Sequence, residues 1–254
     1  MVPPWDAASL SQRHRQAAAV LSAAGVCVAP SEYVAKRYEE AFDHLHVRVI
    51  PHGIDLLRML RHRPSTSAEG GPTGSRTLTL GFLGTIVAQK GLGVLLKALA
   101  AIPDVPLKLM VAGHIHGDEV FRNDILQAVK ADARIEMLGQ LDAAGVVDML
   151  SRMDLLCLPS LVPESYSLVL HEAAAAGVPA LVSRLGAPEG FIAQTQAGLA
   201  LEAGDPRAWS QAISRIAAEP SVLQRWRAAL PLPIRIEEEA FLYESLYRQF
   251  RKSD

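Results

Sequence analysis

From Leu78 onward, short apolar runs alternate with longer stretches whose apolar positions recur every three or four residues. LTLGFLG is followed by GVLLKALAAI, LKLMVAG by VFRNDILQAVKAD, IEML by AAGVVDMLSRM, LLCLP by SLVLHEAAAAG, and PALVS by GFIAQTQ. Runs of four to seven residues suit buried strands, and the longer stretches have helical spacing. Five strand-then-helix repeats predict an α/β protein with a Rossmann-like parallel sheet covered by helices on both faces. Right-handed crossovers place every strand's C-terminal end on one sheet edge, where ligands settle at the switch in strand order. The chemistry is therefore expected in the loops that follow the strands.

Residues 208–227 also read as helices, and IEEEAFLYESLYRQF as a last one. Its stripe of Phe241, Leu242, Leu246, Tyr247 and Phe250 either packs on the core or offers a docking face. Before the repeat, residues 7–24 read as a helix, VCVAPS as a strand, SEYVAKRYEEAF as a helix capped by Ser31, and VRVIPHG as a second strand. One βαβ unit cannot bury both faces of its own sheet, so residues 1–60 are expected to be the end of a domain whose beginning lies elsewhere. Residues 61–76, with RPSTSAEGGPTGSR, have linker composition. Residues 77–254 form the main domain.

Half of the 254 residues are apolar, enough for a sizeable core. The longest apolar run, Ala17 to Ala29, is interrupted by Ser22 and Gly25 and is too short to span a bilayer, which needs roughly 18 residues or more. No secretory signal is visible, so a cytoplasmic location is expected. Cys27 and Cys157 lie in apolar runs without metal-ligand or redox spacing, which fits small buried hydrophobes. A net charge of −2 offers no general basic field for nucleic acid.

PESYSLVLHEA places Glu164 in a loop and Glu172 in a helix eight positions later. Such a pair can be a catalytic couple, a metal clamp, a ligand grip or solvated surface. Eight helical residues span about 12 Å, whereas glycosidase pairs want roughly 5–9.5 Å and a metal clamp less. The spread suits hydroxyls at the two ends of an elongated ligand, and a helix start at Ser167 offers unpaired amides and a positive dipole end to a phosphate between them. Incidental surface acids remain the competing reading. GFLGTIVAQKGLG adds a glycine turn at Gly84 and a Lys90-Gly91 pair at the next helix start. Glycine permits close approach and an ammonium suits a phosphate, although a lone lysine before a helix is more often solvated.

In this order, GFLGTIVAQKG, LMVAG, IEMLGQL and DLLCLPSLVPESYSLVLHEAAAAGVPALVSRLGAPEGFI resemble the C-terminal, donor-binding domain of retaining glycosyltransferases of the GT-B fold, family four. VCVAPSEYVAKRY and VRVIPHGID resemble the end of that family's N-terminal domain. The resemblance implies that Glu172 binds the ribose of a nucleoside diphosphate sugar and Glu164 faces the transferred sugar. It places Gly84, Thr85, Lys90, Gly91 and the amides of Ser167 and Leu168 around the diphosphate, Tyr166 at the sugar pocket, and Gln140 and Leu141 beside the base. Glu164 and Lys90 would take the catalytic roles. It further implies retained anomeric configuration, no metal or other cofactor, a saccharide or lipid-linked acceptor, an acceptor-domain partner and at most peripheral contact with the inner membrane face.

Two positions depart from the family pattern. Thr85 stands where an arginine usually shares the phosphates with the lysine, and Arg184 is a candidate substitute. Tyr166-Ser167 stands where Phe-Gly is common. His114 and His116 form a His-x-His after a strand but lack an evident third metal ligand; approach to donor or acceptor is open to them. His52 suits an interdomain hinge. A non-catalytic donor-binding or regulatory module, or an unrelated α/β enzyme such as an epimerase, would use the same carboxylates.

Overall fold

A computed structural model describes residues 6–60 and 77–250. The expected linker at 61–76 lies outside the described residues.

The first part runs α1 (Ala7–Ala23), β1 (Cys27–Ala29), α2 (Glu32–Ala41), β2 (Val47–Val49) and α3 (Leu56–Leu60). Strands β1 and β2 pair in parallel as a sheet of their own, joined by α2. Ser31 caps α2 as expected, accepting from the Val34 amide at 3.2 Å.

The main part alternates β3 (Leu78–Leu83), α4 (Leu92–Ala100), β4 (Leu107–Ala112), α5 (Glu119–Ala131), β5 (Ile135–Gly139), α6 (Ala143–Ser151), β6 (Leu155–Leu158), α7 (Leu168–Ala175), β7 (Ala180–Ser183), α8 (Gly186–Thr195) and β8 (Gly198–Leu201). Helices α9 (Pro206–Ala218), α10 (Ser221–Ala229) and α11 (Ile236–Phe250) follow. The six strands are all parallel, in the order β5-β4-β3-β6-β7-β8. The α/β class read from the pattern is the one observed. The sixth strand, GLAL, was not expected, because Leu199 is exposed at the sheet edge and the run lacks a buried alternation.

Strand alternation divides the core. Leu78, Leu80, Phe82, Leu109, Val111, Leu155 and Cys157 face one layer with α4 and α9, where Trp209 and Ile213 are fully buried. Met110, Ala112, Leu156, Leu158 and Val182 face the other, against α6 and α7. Strands β6 and β7 are buried at every position, as central parallel strands are. The thiol of Cys157 is fully buried and its pKa is pushed up by that burial, in keeping with its structural reading.

The order reverses between β3 and β6, neighbours in the sheet whose connections leave to opposite sides. Their C-terminal ends therefore splay apart and open a crevice. The first part docks beside it. Ile54 and Arg235 form a bridge, with the Ile54 amide donating to Ile234 O at 3.0 Å and the Ile236 amide to Ile54 O at 3.2 Å. Ser31 Oγ donates to Ser165 O at 2.6 Å. Of the apolar stripe on α11, Leu246 is buried while Phe241, Tyr247 and Phe250 are exposed.

Candidate functional site

The crevice at the switch encloses about 350 Å³ and is lined by Gly84, Thr85, Lys90, Glu164, Tyr166, Ser167 and Leu168, with His52, Ser160, Phe82, Leu83, Leu158 and Val169. A second hollow, of about 470 Å³, shares Leu83, Gly84 and Thr85 and is walled by Gln140, Leu141, Gly113, His114 and His116. The two make one trough along the C-terminal edge of the sheet. Among the described residues that line it, Lys90 is the one lysine or arginine.

Local structure aims each group. After β3, Gly84 begins the turn, and a short 3-10 turn ends at Lys90. Gly91 follows at φ +70, where a Cβ would strike the Pro159 carbonyl. Only glycine fits a left-handed position packed this tightly. Gly91 thus positions Lys90 rather than lining the trough. The Leu161 amide donates to Gln89 O at 2.7 Å, joining the Lys90 loop to the loop that carries Glu164. Lys90 Nζ lies 2.9 Å from Glu164 Oε2, and the buried Ser160 hydroxyl bonds Glu164 Oε1.

Ser167 precedes α7, whose start no side chain caps. Its first residues line the crevice, so an uncapped positive helix end faces the trough beside Lys90. Tyr166 is fixed at this start by a ring stack on His171, with centroids 4.2 Å apart, and by its hydroxyl, which donates to His52 O at 3.0 Å. Burial, with the nearby Glu239 carboxylate, pushes the Tyr166 pKa up. Burial pulls that of His171 down, so the imidazole stays neutral at pH 7. Its Nδ1, 2.8 Å from the Ser167 carbonyl, must carry the proton.

Glu172 is not brought to the trough. It sits one turn further along α7, partly buried, with Oε1 3.4 Å from an Arg58 nitrogen of α3. Burial raises its pKa, and Arg58 opposes that rise. Arg184 is also elsewhere: it bonds the Ala200 carbonyl and does not line the trough. His114 and His116 pack edge-on with centroids 4.5 Å apart. Among the described residues no group of three or more His, Cys, Asp or Glu is placed to hold a metal ion. No helix of the described residues is long and apolar enough to cross a membrane.

Ser160 and His52 line the crevice but were not assigned to a ligand from the sequence. Ser160 carried a signal, standing four positions before Glu164 in the same post-strand loop. His52, read only as a hinge position, meets Tyr166 of the crevice across 114 positions of chain, and Arg58 meets Glu172 outside the trough across the same span, which no local pattern reports.

Chemically, a trough at the switch point of a parallel sheet, with an ammonium and an uncapped helix start at its centre, can accept a phosphate-bearing ligand. The family model for glycosyl transferases group 1 matches residues 69–230, and the chain belongs to that family of enzymes. A D-inositol 3-phosphate glycosyltransferase of Corynebacterium urealyticum is 27% identical over 196 residues, which cover 71% of this chain and 46% of that protein. A phosphatidyl-myo-inositol mannosyltransferase of Mycobacterium leprae is 32% identical over 143 residues, 56% of this chain and 37% of that one. The chain spans about half the length of these curated relatives, or less. Its fold is shared with a glycosyltransferase from Rickettsia africae, at a TM-score of 0.77 and 16% identity over 96% of this chain and 68% of that one. It is shared too with Anabaena Alr3699/HepE, solved in complex with UDP and glucose, at a TM-score of 0.75 and 16% identity over 93% and 67%. The GT-B assignment drawn from the motifs agrees with these neighbours.

Proposed function

We propose that this chain supplies the donor half of a retaining glycosyltransferase, holding a nucleoside diphosphate sugar for transfer to a saccharide or lipid-linked acceptor. The observation that carries this reading is the convergence of Lys90, Glu164 and the uncapped start of α7 in one crevice at the β3/β6 switch. In transfer, the bond from the sugar's anomeric carbon to the diphosphate oxygen breaks and one to the acceptor oxygen forms, the acceptor hydroxyl's proton passing to the departing diphosphate. Negative charge gathers on the departing diphosphate. The Lys90 ammonium and the amides of Ser167 and Leu168 meet that charge, without a resident metal or other cofactor. Glu164 and Tyr166 bound the sugar, and Gln140 and Leu141 edge the base at the far end of the trough. Glu172, the ribose ligand by resemblance, pairs with Arg58 outside the trough and is given no ligand contact in this reading. Residues 1–60, with their separate two-stranded sheet, belong to the acceptor half, which a longer chain or a partner completes.

Calorimetric titration of UDP, GDP and ADP is the first test. At least one is expected to bind, and Lys90→Ala is expected to weaken it by about 10-fold or more, the worth of a charge-assisted hydrogen bond. Unchanged affinity in Lys90→Ala sinks the site. The separate two-stranded sheet of β1 and β2, too small to bury both of its faces, favours a second reading, a donor-binding module that acts only with its complement. Binding without sugar transfer by the isolated chain, and transfer once an acceptor domain is added, selects it. The anomeric configuration of any product, read by NMR, tests retention.

A further inference from the structure

The ammonium available to a diphosphate is already engaged. Lys90 Nζ lies 2.9 Å from Glu164 Oε2, with the glutamate side chain 11% exposed and the lysine 38%. Ser160 Oγ bonds the other carboxylate oxygen. Backbone contacts tie the two loops to each other and to the start of α8. The Leu161 amide ties the two loops through Gln89 O, and the Ala187 amide donates to Glu164 O at 2.9 Å. Gly186, at φ +69, lies against the Glu164 backbone so closely that a Cβ there would stand 2.6 Å from both its N and its O.

The Lys90 ammonium has three N–H donors, but a phosphate drawn to it also approaches the Glu164 carboxylate 2.9 Å away, and repulsion between the two anions sets them in competition for it. Ser160 has one proton to give, to Oε1, and Oε2 loses its ion-pair partner in a place where water barely reaches. Leaving a charged acceptor without a donor there costs more than the lost attraction alone. A ligand with a sugar on the far side of its diphosphate from the ribose brings hydroxyls that replace the missing donor. A bare nucleoside diphosphate does not. Resting on the donor-site reading above, we propose that Glu164 makes this crevice discriminate sugar-loaded nucleotide from spent nucleotide: the carboxylate competes with the diphosphate for Lys90, and only the sugar's hydroxyls satisfy it once displaced. The same residue that faces the sugar would then also speed the departure of the product.

The test compares dissociation constants of UDP, GDP and ADP, and of the matching nucleoside diphosphate glucoses, for the 254-residue chain and for Glu164→Gln and Glu164→Ala. Glutamine keeps the shape and the Ser160 contact but releases the ammonium. Free nucleotide is expected to bind about 3- to 10-fold tighter to both variants, a range held down by solvent screening of the partly exposed lysine. The sugar nucleotide gains nothing, so the wild-type preference for it over free nucleotide falls by the same factor. The gain should shrink in high salt. Free nucleotide binding that is unchanged or weaker in both variants overturns the inference. So does an equal loss for every ligand accompanied by a lower melting temperature, which would make the pair a structural strut. Should the wild-type chain bind no nucleotide, the donor-site reading falls and this inference with it. Should wild type bind and Lys90→Ala lose binding while Glu164→Gln leaves the ratio unmoved, this inference alone fails.

Discussion

At Thr85 the chain carries a neutral hydroxyl in the turn between the two hollows of the trough, where the family resemblance leads one to expect an arginine. Lys90 thus faces any diphosphate without a second lysine or arginine among the described lining residues. If phosphate lies at this turn, Thr85→Arg adds a charge-assisted contact, and nucleoside diphosphate affinity should rise about 10-fold in a calorimetric titration at low salt. An unchanged affinity would place the phosphates elsewhere. A second residue-scale effect comes from His171, whose pKa burial holds below the usual 6.5. The unfolded chain then takes up its proton first as pH falls. Stability supplied by the neutral ring is complete above pH 6.5 and is lost below it, down to the folded-state pKa. Urea midpoints should drop between pH 7 and pH 5.5, and His171→Phe, which preserves a ring between Tyr166 and Phe191, should flatten that dependence. That Gly84, Lys90, Glu164 and Ser167 would line one crevice was legible because each follows a strand within a few positions of a helix start. The Arg58 contact to Glu172 was not, since nothing within α7 encodes a helix 114 positions earlier.

Elements were legible to the extent that their periodicity was undiluted. Strands β3, β4, β6 and β7 appear as apolar runs because parallel strands are buried on both faces, and α11 matches its expected bounds because a run of three glutamates begins it. Strand β8 and the short α3 stayed hidden: the first is an exposed edge, and the second is five residues whose place is set by packing on α7 rather than by propensity. Polar staples between elements were equally invisible. Asp154, 4% exposed at the foot of β6, accepts from the Thr79 amide at 3.0 Å and from Arg227 of α10 at 3.0 Å. Arg227→Ala should lower unfolding free energy by about 2–3 kcal/mol, below the usual range for breaking a buried pair because the arginine is one-third exposed. Denaturant unfolding measures it, and a loss under 0.5 kcal/mol, typical of a surface pair, would contradict the staple.

At the scale of the whole molecule, the question is what couples residues 52–54, beside the crevice, to a helix almost two hundred positions later. Glu239 of α11 accepts from the Gly53 amide at 2.7 Å and pairs with His52 Nδ1 at 3.0 Å, while His52 O receives the Tyr166 hydroxyl in the crevice wall. The last helix is thereby linked to the site through one residue. The chain's separate two-stranded sheet was foreseeable from the single βαβ unit in its first sixty residues, but this clasp was not, because IEEEAFLYES offers three neighbouring glutamates and only the fold selects the one that turns inward. Burial would raise the Glu239 pKa, yet the bonds from His52 and Gly53 outweigh it and leave the carboxyl below its ordinary 4.5. A carboxyl lowered in the folded state gives stability that is full above the unfolded value and disappears as pH falls through the folded one. Glu239→Gln should therefore cost about 1–2 kcal/mol near pH 6, the worth of hydrogen bonds to a charged group at a partly exposed site. That deficit should close as pH falls from 6 through the folded-state pKa of the wild-type carboxyl, below which it is protonated too. Melting curves of both proteins across that range decide it. Other carboxylates that soften the molecule in acid act on both alike, so only the difference reports the clasp, and a difference independent of pH would mean that Glu239 supports α11 by packing rather than by charge.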